Sequence, residues 1–200
     1  MSAAPHITSN LQKHTSTNPL QRDLIARFHR AVTALVAHTG ARQVLDAGCG
    51  EGFGLREAIT PVLPAATGLD VSIESLRFAQ HLNPTLPFVA GSLMALPFPD
   101  HSFELVTCLE VLEHLDHPDQ GLAELCRVSA RWLILSVPNE PYFRGANFLR
   151  GKNIRRWGND PGHVNHWSGA SFERFVARRC RVIARQQPFP WTLVLCSIES

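Results

Sequence analysis

The sequence has few charged residues and no long apolar run. Charged residues make up 18% of its 200 residues, and 19 basic against 17 acidic residues leave a formal net charge of +2. This near balance argues against a chain that binds nucleic acid through its overall charge. No apolar run reaches the roughly 18 residues of a membrane-spanning helix, and the first residues lack the basic and apolar regions of a signal peptide. We therefore expect a protein without a transmembrane segment.

The cysteines are few, odd in number and widely spaced. None of them forms a CxxC pair; they are Cys49, Cys108, Cys126, Cys180 and Cys196. This pattern excludes a regular disulfide framework and a zinc ribbon, and it is typical of a reducing compartment. We therefore expect a cytoplasmic protein.

Predicted helices and strands alternate along most of the chain. Residues 1–18 are polar and predict a flexible N-terminal arm, whereas apolar residues recur every three or four positions from residue 19 to about residue 38. Apolar runs that predict strands follow at 43–47, 66–69, 87–90, 105–109 and 132–137, with helices predicted at 53–59, 73–81, 119–127 and 169–179. We expect one domain over residues 19–200.

The pattern predicts an α/β fold with a seven-stranded sheet and helices on both faces. The first five strands are separated by helices, which favours parallel pairing. The last two apolar runs, at 181–187 and 192–198, are joined by a short PFPW turn. Parallel strands need a crossover of about a dozen residues, so these two strands must form an antiparallel hairpin.

A glycine-rich loop, GCGEGFG, follows the first strand. Its spacing is GxGxG and does not match the GxGxxG of dinucleotide-binding folds. Asp70 ends the second strand, where a carboxylate can accept hydrogen bonds from the two hydroxyls of a ribose. Loop and acid together predict a nucleoside site at the carboxyl ends of the strands.

The stretches VLDAGCGEG, GLDVS and GSLMALPFPDHSFELVTCLEVLEHL resemble the class I S-adenosylmethionine-dependent methyltransferases, particularly the small ubiquinone and menaquinone biosynthesis enzymes. The resemblance covers roughly residues 43–198 and implies a Rossmann-like fold with S-adenosylmethionine as the cofactor. It implies that Asp46 and the loop backbone hold the methionine part, that Asp70 binds the ribose, and that Val71 packs against the adenine. The implied cofactor residues are Asp46, Ala47, Gly48, Cys49, Gly50, Asp70, Val71, Ser92, Leu93, Met94 and Leu109. Ser92 replaces the aspartate that is usual in the family, so weaker cofactor binding is expected.

Three residues after the fourth strand are the predicted catalytic group. Glu110, Glu113 and His114 have the i, i+3, i+4 spacing that brings side chains to one side of a helical turn. Two carboxylates and an imidazole suit Mg²⁺, Mn²⁺ or Zn²⁺, and His163 could supply a fourth ligand. The group is similar to the ExxEH metal site of ubiquinone-pathway O-methyltransferases and of small-RNA 2′-O-methyltransferases. Without a metal, His114 would line the substrate pocket and a glutamate would bind backbone; both interpretations stay open.

Residues 138–167 form a long segment that predicts a basic lid. Five basic residues lie between Glu140 and Asp160, with no acid among them, and alternate with apolar ones; they are Arg144, Arg150, Lys152, Arg155 and Arg156. Such a lid could meet a phosphate, a carboxylate or a lipid headgroup, while the alternative is an ordinary solvated face. The predicted substrate-binding residues are Asn139, Arg144, His163, His166 and Trp167.

The sequence therefore predicts a methyltransferase that acts on a small-molecule acceptor, which could be anionic, with a hydroxyl as the favoured group. His114 would take the proton, or a metal held by Glu110 and Glu113 would lower the hydroxyl's pKa. One alternative is a metal-dependent 2′-O-methyltransferase of RNA 3′ ends, and another is a non-catalytic scaffold with this fold. Neither the acceptor nor the oligomeric state follows from the sequence.

Overall fold

A computed structural model describes residues 9–140, 142 and 163–198. The helices are α1 (Ser9–His14), α2 (Pro19–Thr39), α3 (Ile73–Leu82), α4 (Pro118–Val128) and α5 (Gly169–Val176), with a π-helical segment at Leu55–Ile59 and a 3₁₀ turn at Leu112–His114. The strands are β1 (Val44–Ala47), β2 (Ala66–Asp70), β3 (Phe88–Ala90), β4 (Phe103–Leu109), β5 (Ser129–Pro138), β6 (Arg181–Gln186) and β7 (Trp191–Ser197).

The strands form one mixed sheet in the order β3-β2-β1-β4-β5-β7-β6. Strands β1 to β5 pair in parallel, and β7 pairs antiparallel with both β5 and β6. This confirms the predicted fold class, including the C-terminal antiparallel pair. The PFPW turn brings β7 back between β5 and β6, so β6 becomes the edge of the sheet.

Each face of the sheet is covered by its own hydrophobic cluster. On one face, Leu133 and Leu135 of β5 belong to a cluster with Leu122 of α4 and Phe172 of α5. On the other face, Ile134 belongs to a cluster that contains residues of α2 and of the π-helical segment. Successive side chains of a strand point to opposite faces, and both faces are covered here. The buried parts of the central strands are consequently mainly apolar, as the sequence pattern predicts for buried parallel strands.

The strand order places a crevice at the carboxyl end of β1. Strand β1 lies between β2 and β4. The chain first adds β2 and β3 on one side of β1 and then crosses over to add β4 and β5 on the other side. Ligands of open α/β sheets bind at such a switch point. The glycine loop, Asp70 and the residues after β4 all lie at this edge.

Two predicted segments need separate mention. Helix α1 lies within residues 1–18, the segment for which the sequence predicts a flexible arm. Most of the predicted basic lid, including Arg144, Arg150, Lys152, Arg155 and Arg156, lies outside the described residues. Across the described part of the chain, none of the helices combines the length and apolar character needed to cross a membrane.

Gly68 provides a test of how closely β2 packs. A Cβ atom at this position would lie 2.5 Å from the ring of Phe88 and 2.9 Å from Sγ of Cys49. We expect Gly68→Ala to lower the free energy of unfolding by about 1–3 kcal/mol, because neither neighbour can move away freely. Urea denaturation followed by circular dichroism measures the change.

Gly54→Ala is the matched control. Gly54 has helical backbone angles, and a Cβ atom there would meet Leu109 at an ordinary 3.8 Å. This variant should keep or slightly increase stability. Equal losses in the two variants would contradict the packing described for β2.

Candidate functional site

The glycine loop turns sharply between β1 and the π-helical segment. Gly48 and Gly50 have φ values of 83° and 52°, which a glycine adopts without strain. The N–H groups of Gly48 and Cys49 both donate to the carbonyl oxygen of Leu69, at 2.7 and 2.9 Å. A Cβ atom on Gly48 would lie 2.5 Å from Cγ2 of Val111. The loop is thus fixed to the end of β2 and packs closely against the segment after β4.

Asp70 fixes the same loop from the other side. Its Oδ2 accepts a hydrogen bond from the N–H of Gly50, and its Oδ1 accepts one from the N–H of Ser72, each at 2.8 Å. An ionised carboxylate has about four acceptor sites. Asp70 can therefore hold the loop and still accept hydrogen bonds from the hydroxyls of a ligand.

Two apolar side chains next to Asp70 are exposed. Val71 is 76% exposed and Ile73 is 59% exposed, at the end of β2 and the start of α3. They form an apolar surface beside the carboxylate. The resemblance assigns Val71 to the adenine, and its exposed position fits that role.

Asp46 is buried at the end of β1. Its Oδ1 accepts a hydrogen bond from Oγ1 of Thr107 at 2.7 Å. Burial raises the pKa of Asp46 to about 6, the hydrogen bond from Thr107 works in the opposite direction, and the nearby charge of Asp70 raises it further. A cationic ligand in the crevice would stabilise the ionised form.

The resemblance assigns residues 92–94 to the edge of the adenine. These residues form a tight turn. The hydroxyl of Ser92 accepts a hydrogen bond from the N–H of Met94 at 3.1 Å, and the carbonyl of Ser92 accepts one from Ala95. The carbonyl of Met94 accepts one from Nε2 of Gln120, and the side chain of Leu93 is buried. Ser92 thus stabilises the turn itself, and its role towards adenine stays a prediction.

Glu110 follows Leu109 at the end of β4 with a positive φ of 59°. Its N–H donates to the carbonyl of Ser136 on β5 at 3.0 Å. Its Oε2 forms an ion pair with Nζ of Lys13 from α1. The other carboxylate oxygen, Oε1, is buried and has no hydrogen-bond partner among the residues that the structure describes.

Glu113 is the most strongly buried acid of the predicted catalytic group. It is 1% exposed, and neither carboxylate oxygen has a hydrogen-bond partner within the described residues. Burial raises the pKa of Glu113 well above its usual range, and the charge of Glu110 raises it further. A buried carboxyl without partners is energetically costly, so this side chain calls for a proton or a cation.

The structure brings Glu113, His114 and His163 together. One potential ligand atom from each of these residues lies within 4.8 Å of the other two. The rings of His114 and His163 meet edge to face with centroids 4.9 Å apart. Three of the four sequence-predicted metal ligands therefore converge, whereas Glu110 faces Lys13.

Backbone contacts position His163. The N–H groups of Val164 and Asn165 donate to the carbonyl oxygen of Glu113 at 2.9 and 3.0 Å. The side-chain amide of Asn165 donates to the carbonyl of Leu115 at 2.6 Å and to that of Leu112 at 3.3 Å. Asn165 thus joins this segment to the 3₁₀ turn that carries Glu113 and His114.

The remaining predicted substrate residues lie elsewhere. Nδ1 of His166 is 3.7 Å from Oε1 of Glu140, and the ring of Trp167 packs on Phe172 and Phe175 of α5. Asn139 is buried and its N–H donates to the carbonyl of Pro190 at 2.8 Å. Arg144 lies outside the described residues.

Three residues near the site had no signal in the sequence. Lys13, Glu140 and Asn165 contact predicted site residues that are distant along the chain, 97 residues away in the case of Lys13 and Glu110. Only the charged side chains of Lys13 and Glu140 and the proximity of Asn165 to His163 and His166 could have drawn attention to them.

Comparison with known proteins shows which family part of the chain resembles. Residues 45–131 match the family described as "Methyltransferase domain". A probable S-adenosylmethionine-dependent methyltransferase of Mycolicibacterium smegmatis is 35% identical over 120 residues, which are 58% of this chain and 46% of that protein. These matches confirm the resemblance to the class I methyltransferases.

Two other relatives carry more specific names. A phthiotriol/phenolphthiotriol dimycocerosates methyltransferase of Mycobacterium ulcerans is 36% identical over 110 residues, which cover 54% of this chain and 40% of that protein. A demethylmenaquinone methyltransferase of Renibacterium salmoninarum is 33% identical over 103 residues, with 52% and 43% covered. The chain matches less than half the length of each of these relatives.

Solved structures share the fold. The N-methyltransferase NodS of Bradyrhizobium japonicum, solved in complex with S-adenosylhomocysteine, aligns with a TM-score of 0.70 at 16% identity and covers 94% of this chain and 91% of that one. At this level of identity the likeness establishes the fold alone.

The raised pKa of Asp46 predicts a pH dependence of stability. Between the ordinary pKa of 3.8 and the folded value of about 6, the folded state binds more protons than the unfolded state. Relative to Asp46→Asn, the wild type should therefore lose up to about 3 kcal/mol of unfolding free energy as pH rises through this window, and the difference should stay constant above it. Urea denaturation at a series of pH values measures the difference.

Asp116→Asn is the control, because Asp116 is exposed and the substitution removes the same charge. Its difference from the wild type should show no comparable pH dependence. If Asp46→Asn behaves like this control, Asp46 is not the buried carboxyl described here.

Proposed function

We propose that this protein, whose residues 45–131 match a methyltransferase domain, transfers the methyl group of S-adenosylmethionine to a hydroxyl group of a small-molecule acceptor. The observation that carries the proposal is the arrangement of two adjoining groups at one edge of the sheet. The first is the glycine loop held by Asp70, and the second is the cluster of Glu113, His114 and His163.

The described residues fit the cofactor. The open acceptor sites of Asp70 suit the ribose hydroxyls, and the exposed side chains of Val71 and Ile73 suit one face of the adenine. Asp46, with a pKa raised to about 6, would be stabilised as a carboxylate by the positive charges of the methionine part. Ala47, Gly48, Cys49, Gly50 and Leu109 would line the space between these groups.

The acceptor hydroxyl must lose a proton when the methyl group is transferred. His114, exposed at the end of the 3₁₀ turn, is placed to take that proton. The remaining catalytic effect is alignment of the acceptor oxygen with the methyl group, which can contribute roughly 7–11 kcal/mol. The glycine loop is held by Asp70, and the segment around His163 is held by hydrogen bonds to the 3₁₀ turn. Both would help to position the acceptor and the methyl group.

The same residues fit a divalent cation. Glu113 offers two buried oxygens without partners in the described part of the chain, and His114 and His163 offer imidazole nitrogens within 4.8 Å. Mixed carboxylate and imidazole ligands suit Mn²⁺ or Zn²⁺. Such an ion would lower the pKa of the acceptor hydroxyl. Glu110 would offer Oε1 as a further ligand, next to the Oε2 that pairs with Lys13.

The names of the relatives support an acceptor with an apolar body. They refer to a demethylmenaquinone and to phthiotriol lipids. In this chain, the exposed rings of Tyr142 and Phe189 lie 6.0 Å apart, and Phe189 belongs to the turn that precedes β7. This apolar surface would accept the body of such a substrate, and Arg144 in the predicted basic lid would meet an anionic group.

The alternatives receive less support. Quinone and lipid names among the relatives do not favour an RNA 3′ end as the acceptor. A non-catalytic scaffold has no need for a fixed glycine loop with Asp70. We also propose a cytoplasmic location, because all five cysteines are free and four of them are buried.

Val71 gives a test of cofactor binding that does not disturb the fold. Its side chain is 76% exposed, so Val71→Ser removes almost no contact within the protein. We expect this variant to bind S-adenosylhomocysteine about tenfold more weakly, since burying a valine side chain contributes about 1.5 kcal/mol. Isothermal titration calorimetry measures the affinity.

The matched control is Val62→Ser, at a 43% exposed valine after the π-helical segment. Its affinity should equal that of the wild type. Wild-type protein that binds no S-adenosylhomocysteine would refute the proposed function, and equal affinities in all three proteins would remove Val71 from the site.

Metal binding is tested with protein saturated with S-adenosylhomocysteine. We expect Mn²⁺ or Zn²⁺ to bind to the wild type, and Glu113→Gln to weaken this binding by at least about tenfold, because the substitution removes the buried anionic ligand. Glu57→Gln, at an exposed glutamate of the π-helical segment, is the control and should bind like the wild type. Isothermal titration calorimetry measures the affinity. If it detects no binding of Mg²⁺, Mn²⁺ or Zn²⁺, the metal site is excluded and His114 remains the proposed base.

A further inference from the structure

Lys13 is a partly buried cation beside the predicted catalytic group. Its side chain is 21% exposed, and its Nζ forms an ion pair with Oε2 of Glu110. The ammonium group also lies 5.0 Å from the ring centroid of Trp191, within range of a cation–π interaction. Helix α1 thus places a positive charge near the carboxyl end of β4 and near the start of β7.

The neighbouring residue joins the same helix to the glycine loop. The ring of His14 stacks on Phe53 with centroids 4.4 Å apart and on His29 with centroids 5.3 Å apart. Phe53 follows directly after Gly52 of the loop. Adjacent residues of α1 therefore contact the glycine loop, through His14, and the acidic residues after β4, through Lys13.

We propose that Lys13 is the internal counter-ion of Glu110 and Glu113, and that a divalent cation bound at Glu113, His114 and His163 competes with it. Metal binding and docking of α1 then oppose each other. The inference rests on the metal site proposed above and assigns Lys13 a regulatory role at that site.

The competition follows from the carboxylates that the two cations share. One oxygen of Glu110 pairs with Lys13, and its other oxygen is buried without a partner among the described residues. A divalent ion next to Glu113 therefore competes with Lys13 for the negative charge of the Glu110 carboxylate. A divalent ion at Glu113 also repels an ammonium group held at Glu110.

Such coupling is reciprocal. If docked Lys13 weakens metal binding by a given factor, bound metal weakens docking of α1 by the same factor. Coupling in proteins commonly amounts to about 5- to 150-fold. We therefore expect two linked effects that can be measured separately: the metal affinity of a Lys13 variant and the exposure of α1 in the presence of metal.

The first observable is the Mn²⁺ affinity, measured by calorimetry on the full chain. Lys13→Met should bind Mn²⁺ about tenfold more tightly than the wild type, and Lys13→Arg, which keeps the charge, should return towards the wild-type affinity. Arg22→Met is the control, because Arg22 is an exposed cation on the adjacent α2. It should stay within about twofold of the wild type, which separates local competition from a change in net charge.

The second observable is amide hydrogen exchange of residues 9–17, followed by mass spectrometry. In the wild type, Mn²⁺ should accelerate exchange in this segment, whereas in Lys13→Met exchange should already be fast without metal. Exchange in the core strand β5 should be unchanged in every case, which shows that the domain stays folded.

The outcomes separate this inference from the proposed function. The inference would be overturned if Lys13→Met and Arg22→Met bound Mn²⁺ with equal affinity, or if Mn²⁺ did not change amide hydrogen exchange in residues 9–17. Either result would leave the metal site intact. Absence of Mn²⁺ binding in all proteins would overturn both the inference and the metal site. Binding of S-adenosylhomocysteine in the same preparations reports separately on the cofactor site.

Discussion

The two hydrogen bonds that Asp70 accepts are the constraint on which the rest of the site depends. They tie the N–H of Gly50 in the glycine loop to the N–H of Ser72 before α3, so one carboxylate fixes the ends of β1 and β2 together. Hydrogen bonds to an ionised acceptor are roughly twice as strong as neutral ones. With the loop fixed, Gly48 packs against Val111, which positions the 3₁₀ turn that carries Glu113 and His114. The glycine loop and the 3₁₀ turn are thus joined by a close packing contact between Gly48 and Val111.

The acidic residues after β4 carry buried carboxylate oxygens that have no hydrogen-bond partner among the described residues. Glu113 is buried without a hydrogen-bond partner among the described residues, and the nearby charge of Glu110 adds to the cost. Lys13 compensates part of this charge from a different part of the chain. Groups that are costly in the isolated fold are a common feature of functional sites, where a ligand or an ion supplies the missing interaction. This unfavourable arrangement of Glu110 and Glu113 supports the proposal that they belong to a functional site.

The sequence predicts the sheet and the glycine loop well, because local patterns determine them. The continuous apolar strands, the short PFPW turn and the glycine loop each indicate their own conformation. The spacing of Glu113 and His114 also indicates their proximity. The histidine pair is different: residues 163–167 are not helical, and the structure places His163 beside His114 but His166 beside Glu140. Lys13 and Asn165 could not be predicted, since their contacts are long-range and depend on packing that no local pattern encodes.

The central claim is that the glycine loop and the Glu113 cluster together move a methyl group to a hydroxyl. The most direct test supplies radiolabelled S-adenosylmethionine with a panel of small phenols, hydroquinones and catechols and a matched panel of amines, and identifies the labelled products by mass spectrometry. The account predicts label on oxygen of a hydroxylated acceptor, with transfer reduced at least about a hundredfold, a common size for loss of general acid–base catalysis, in His114→Ala. Protein that binds the cofactor and labels amines but no hydroxyl would contradict it.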